Sequence, residues 1–126
     1  MLEDKNTEFK REYVEDIKKI LVAFANTDGG NLYIGIDNAG NAIEINNIDG
    51  VMLQVANVIR DAIKPDLAMF CDVTVENVQD KKVVKITVNR GTARPYYLAA
   101  KGIRPEGVYV RQGASSVPAS ESVFSL

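Results

Sequence analysis

With no histidine and only one cysteine, Cys71, the 126-residue chain has neither an intramolecular disulfide nor the usual zinc ligand sets open to it. No apolar run approaches the roughly 18 residues that a membrane-spanning helix needs. The charged first ten residues also lack the apolar stretch of a signal peptide, so the chain reads as cytoplasmic. A Gly-x-x-x-x-Gly-Lys-Ser/Thr phosphate loop is missing, which argues against ATP binding. Positive charge is not in excess either. The 15 Lys and Arg face 17 Asp and Glu for a net charge of -2, so bulk electrostatics makes no case for nucleic acid.

What is present is ordinary for one globular domain over residues 1–126. Apolar residues make up 46% and charged residues 25%, without internal repeats or low-complexity linkers. The charge is unevenly placed. Residues 90–111 carry five cations (Arg90, Arg94, Lys101, Arg104, Arg111) against the single acid Glu106, whereas residues 1–89 carry 10 basic and 15 acidic groups. A local basic patch can bind phosphate even on an acidic protein; a solvated loop kept soluble by its charges is the plainer alternative.

Helical spacing of Val14, Ile17, Leu21 and Phe24 predicts a helix over about 13–26, stopped by Thr27-Asp28-Gly29-Gly30. Leu32, Ile34 and Ile36 alternate with Tyr33 and Gly35, which predicts a strand over 31–37 with a return leg over 42–45. Met52, Val55, Ile59 and Ile63 predict a second helix over 51–64, ended by Pro65. Val73 and Val75, then Val84, Ile86 and Val88, flank a polar turn over 79–82 as in an antiparallel hairpin. Short edge strands are expected over 96–98 and 108–110. Residues 115–121 read as a helix start that runs out of chain, suggesting the N-terminal part of a longer protein. The expected class is α/β (α+β), a mixed and mostly antiparallel sheet packed by two main helices.

Four stretches go further in combination: residues 3–10 (Glu-Asp-Lys-Asn-Thr-Glu-Phe-Lys), residues 23–37 (Ala-Phe-Ala-Asn-Thr-Asp-Gly-Gly-Asn-Leu-Tyr-Ile-Gly-Ile-Asp), residues 101–110, and residues 111–116 (Arg-Gln-Gly-Ala-Ser-Ser). In order and spacing they resemble the Schlafen/Alba-like domain, also called the divergent AAA-4 domain, over nearly the whole chain. The resemblance implies a nucleic-acid-binding (DNA or RNA) domain of a transcriptional regulator. In bacterial proteins of this kind the domain stands at the N-terminus, ahead of ATPase-like and winged-helix regions. Alba-like domains often work as dimers, which implies a homodimer.

The Schlafen branch also contains RNA-cutting members, and Glu3, Glu8 and Asp37 match the positions of their three catalytic carboxylates. That would make the chain a metal-dependent endoribonuclease, since clustered carboxylates can hold Mg²⁺ or Mn²⁺ and the metal can activate water toward a phosphodiester. The alternative has Glu8 paired with Lys10 or a nearby arginine, Glu3 as a terminal charge, and Asp37 opening the Asp-Asn-Ala-Gly turn. For phosphate contact the candidates are Lys10, Arg94, Arg104, Arg111, Ser115 and Ser116, with Tyr96 and Tyr97 as stacking faces or as core. Gly29-Gly30 either approaches phosphate closely or stops the helix. A third reading is an oligomerisation module without a ligand.

Overall fold

The computed structural model describes residues 1–119, which form eight strands and two α-helices. In chain order these are β1 (Thr7–Lys10), α1 (Ile17–Asn26), β2 (Gly30–Ile34), α2 (Ile48–Ala62), β3 (Ile63–Lys64), β4 (Cys71–Val78), β5 (Lys81–Val88), β6 (Tyr97–Leu98), β7 (Tyr109–Gln112) and β8 (Ser115–Pro118), with a short 3-10 turn, Ala68–Phe70, before β4. The main sheet has the order β1-β2-β5-β4; β1 and β2 run parallel across the α1 crossover and the other pairs are antiparallel. Two two-stranded ladders stand beside it, β3 with β6 and β7 with β8.

Period-two alternation sorts the strand residues between the two faces. Leu32, Ile34, Val84, Ile86 and Val88 face both helices and form the main core with Leu21, Phe24, Val55 and Ile59. Phe9, Ile36, Ala42 and Val83 make a smaller cluster with Tyr33 and Val78; Phe9 meets Tyr33 edge-on at 6.0 Å.

α1 begins later than its periodicity suggests, because the stretch before Ile17 winds through i to i+3 bonds such as Ile17 N–H to Val14 C=O, and Asp16 supplies no side-chain cap. α2 begins earlier, capped by the Asn47 side chain accepting from Gly50 N–H at 3.1 Å, and Ile63 and Lys64 already run extended ahead of Pro65. The return leg after Asp37 is an isolated bridge, Ile36 to Ala42, in place of a strand. One expectation is overturned outright: Ser115–Pro118 is a strand. The two-residue turn Gly113-Ala114 folds it onto β7, where Arg111 faces Ser116 and backbone bonds replace those of a helix. The rest of that expected helix, residues 120–126, lies outside the described residues.

Candidate functional site

The C-terminal end of α1 is where the distant parts of the chain meet. Asn26 donates to the Tyr96 and Tyr109 carbonyls, both at 2.9 Å, and accepts the Tyr96 N–H at 2.7 Å. Thr27 donates its hydroxyl to the Ala23 carbonyl and accepts the Arg111 N–H. A Cβ on Gly29 would stand 2.6 Å from the Val88 carbonyl oxygen, and one on Gly30 would stand 2.5 Å from the Phe24 ring. Both glycines are there for packing. Gly29 has φ +76°, and its N–H closes the helix on the Phe24 carbonyl.

Beneath this corner lies Arg111, its side chain only 1% exposed. Nη1 donates to Glu8 Oε1 at 2.8 Å and to Ser116 Oγ at 3.1 Å, Nη2 to the Asp4 and Thr7 carbonyls, and Nε to the Lys5 carbonyl. The guanidinium also lies 5.0 Å from the Phe24 ring centroid. Arg111 thus ties the N-terminal segment, α1 and the β7–β8 hairpin together and presents no free fork to solvent. Ser116 is turned inward with it.

Glu3 and Glu8 do come together. Burial and the neighbouring Glu3 carboxyl push Glu8 up to about 7, outweighing the downward pull of Arg111. The hydrogen bond with Glu8, together with the Phe9 N–H donated to Glu3 Oε2 at 3.0 Å, holds Glu3 below its ordinary value. The two shifts are opposite in direction, as expected of neighbouring carboxyl groups of which one holds the proton more firmly. Asp37 does not join them. Its Oδ1 accepts the Ala39 and Asn41 N–H groups at 3.0 and 2.9 Å and its Oδ2 stands 4.0 Å from Arg11, so it opens the turn over 37–40. Among the described residues no three carboxylate or thiol side chains are grouped closely enough to hold an ion, so the donor set implied for Mg²⁺ or Mn²⁺ does not fit this arrangement.

Of the other anticipated contacts, Arg94, Arg104 and Ser115 are exposed and Lys10 is partly so. Arg94 stands on a loop pinned by Gly91 N–H to the Ala25 carbonyl and donates its Nε–H to the Gly91 carbonyl at 2.9 Å. Lys101 and Arg104 stand on the turn over 99–107. Tyr96 is fully buried, its hydroxyl accepting the Ala93 N–H, and so belongs to the core. A cleft of about 790 Å³ opens between α1, α2 and the turn after β6, but its Lys18, Lys19 and Lys101 are matched there by Glu15, Asp16, Asp61 and Glu106, a balance unsuited to phosphate. Asn26 had no role assigned on sequence grounds. An amide that ends the apolar run Ile20–Ala25, just before Thr27, was its available signal.

Among known proteins, the chain is similar over 91% of its length to the DIP2311 protein from Corynebacterium diphtheriae, with a TM-score of 0.65 and 20% identity. It spans only 22% of that chain. It is similar to the same extent to the N-terminal domain of a protein from Nitrosomonas europaea named as related to the ATP-dependent DNA helicase RecG, with a TM-score of 0.63, 23% identity and 82% of that chain covered. At these identities the likeness is one of fold. No curated protein matches the chain. The Schlafen, AlbA_2 family matches residues 3–120, and the chain belongs to it.

Proposed function

We propose that this chain is a nucleic-acid-binding domain of a transcriptional regulator, acting in the cytoplasm and contacting phosphates through two neighbouring stretches, residues 89–96 and 99–107. One observation carries the reading: Arg90, Arg94 and Arg104 are exposed, and among the described residues none is held in an ion pair. Arg94 already donates its Nε–H to the Gly91 carbonyl, and exposed guanidinium groups outside ion pairs favour contact with the phosphate backbone over reading of bases. Lys10 and Ser115 are added contacts in this reading, while Arg111 and Ser116 act indirectly by holding the corner together. α2 carries Gln54, Asn57 and Arg60 along one side, but Arg60 is held by Asp61 and Asn57, so no free cluster suited to the major groove is offered there and sequence preference is weak in this reading. ATPase-like and winged-helix regions of a longer parent chain are the further partners.

The endoribonuclease reading keeps one observation in its favour, the approach of the Glu3 and Glu8 carboxyl groups to one another. A single series of measurements tests both. Labelled single- and double-stranded DNA and structured RNA are incubated with the protein, with and without Mg²⁺ or Mn²⁺, and binding and strand scission are followed together. Binding without scission, weakened for every sequence alike in the Arg94→Ala/Arg104→Ala variant, is the expected result. Unchanged binding by that variant would remove the basic loops from the interface. Metal-dependent scission lost in Glu8→Gln would establish the nuclease.

A further inference from the structure

The adjacent Tyr96 and Tyr97, where the loop over 89–96 enters β6, are turned opposite ways. Tyr96 is fully buried, and Asn26 grips its backbone from both sides, accepting the N–H at 2.7 Å and donating to the carbonyl at 2.9 Å. With that residue fixed inward, the pleat sends Tyr97 outward. The β3–β6 ladder requires the same. Ile63 and Leu98 face each other and are both buried, so the next pair, Lys64 and Tyr97, shares the opposite side.

Of the five tyrosines, Tyr13, Tyr96 and Tyr109 pack in or against the main core and Tyr33 against the smaller cluster, whereas Tyr97 belongs to neither. Lys85 and Lys19 stand 5.7 Å from the Tyr33 and Tyr109 ring centroids, but among the described residues no cation or aromatic ring lies against Tyr97. Its partner Lys64 is exposed and, among the described residues, held in no ion pair. Asp61 and Asp66, on either side of Lys64 in the chain, are engaged elsewhere: the first takes two hydrogen bonds from Arg60 and the second accepts the Ala68 N–H. The exposed Arg94 stands just before, on the loop that leads into β6.

We propose that the Lys64–Tyr97 pair is a site for an unpaired base. The base stacks on the Tyr97 ring, and the phosphates on either side of it are taken by Lys64 and Arg94. A base already paired and stacked in a duplex has no face to offer such a ring, while its phosphates remain available. Single-stranded nucleic acid is therefore the preferred form, and duplex is held by phosphate contacts alone. Every base has a π-face, so the site adds affinity without adding sequence preference. The clamp of Asn26 on Tyr96 fixes the outward ring before any ligand arrives, which spares the cost of ordering it on binding. The proposal rests on the nucleic-acid reading and adds a contact that the basic loops do not supply.

Titration of a labelled mixed-sequence DNA strand with the full chain, the strand alone and then annealed to its complement, tests it by fluorescence anisotropy. The single strand should bind more tightly. Tyr97→Leu, which keeps apolar bulk but no ring, should weaken single-strand binding about five- to 150-fold and leave duplex binding unchanged, and Tyr97→Phe should restore the single-strand affinity. Lys64→Ala should reduce the single-strand salt slope by about 0.7. The chain has no tryptophan, so Tyr97→Trp adds one reporter, whose emission the single strand should quench and the duplex should not. That variant reads the stacking even where Tyr97→Leu disturbs β6. Binding weakened by Arg94→Ala/Arg104→Ala but indifferent to Tyr97→Leu, or a Tyr97→Trp emission that the single strand leaves unquenched, overturns this proposal alone. No binding of either form by the wild-type chain overturns the nucleic-acid reading and the base site with it.

Discussion

A guanidinium offers five N–H donors and no acceptor, and at Arg111 those donors reach one carboxylate, one hydroxyl and three backbone carbonyls. Breaking a buried ion pair from one side leaves the other charge uncompensated, so Arg111→Met should cost about 3–5 kcal/mol, read as a lowered urea midpoint. Arg104→Ala, on the surface, should stay within about 0.5 kcal/mol of the parent. Glu8 gives this cluster a pH dependence whose sign is fixed. Its native pKa, about 7, lies above the ordinary 4.5, so between those values the folded state holds more protons than the unfolded one. Stability from this group is fully present below pH 4.5 and is lost as pH rises through 7. Glu3, shifted downward, acts oppositely and loses its contribution as pH falls below its ordinary value. Thermal melts from pH 4 to 8 should therefore fall across the upper window, and Glu8→Gln should flatten that fall.

At the scale of elements, strong periodicity was enough to locate α1, α2 and the β4–β5 hairpin to within a few residues. β1, β3 and β6 are four, two and two residues long, too short to carry a period, and they exist because a neighbour supplies their hydrogen bonds. β8 was misread because Ser-Ser followed by Pro resembles a helix entry, while the Gly113-Ala114 turn that decides its pairing is a tertiary commitment of β7. The β4–β5 turn has Gln79 at φ +52° and Asp80 at φ +65°, two non-glycine residues in the left-handed region. Gln79 is retained by its Oε1, which accepts the Ala42 N–H at 2.8 Å. Among the described residues no such side-chain bond ties Asp80, and Asp80→Gly should raise stability by up to about 1 kcal/mol in urea unfolding. A loss of stability there would mean that glycine's greater freedom in the unfolded chain outweighs the relieved strain.

Across the whole molecule, the proposed interface is a local positive region on a chain of net charge -2, so its affinity should be unusually open to salt. The logarithm of affinity for duplex DNA should fall linearly with the logarithm of salt, and each phosphate contact removed, as in Arg104→Ala, should reduce the slope by about 0.9. A slope unaffected by that substitution would take Arg104 out of contact. The segregation of cations into residues 90–111, the two amphipathic helices, the valine hairpin and the motifs of residues 3–10 and 23–37 are properties of residue order, and they determined the fold class and the family without coordinates. Which of those residues stay free was decided only in three dimensions. Arg94 and Arg104 lie on exposed loops, whereas Arg111, alike in type, is drawn under the Phe24 ring against Glu8 by segments more than 80 residues away in the chain. Glu3 and Glu8 meet because the turn before β1 folds one back on the other, and Asp37 is kept from them by the N–H groups of its own turn. Linear spacing records residue type and local period; burial and the partners available to each charge depend on the packing of distant segments, which no short stretch of sequence contains.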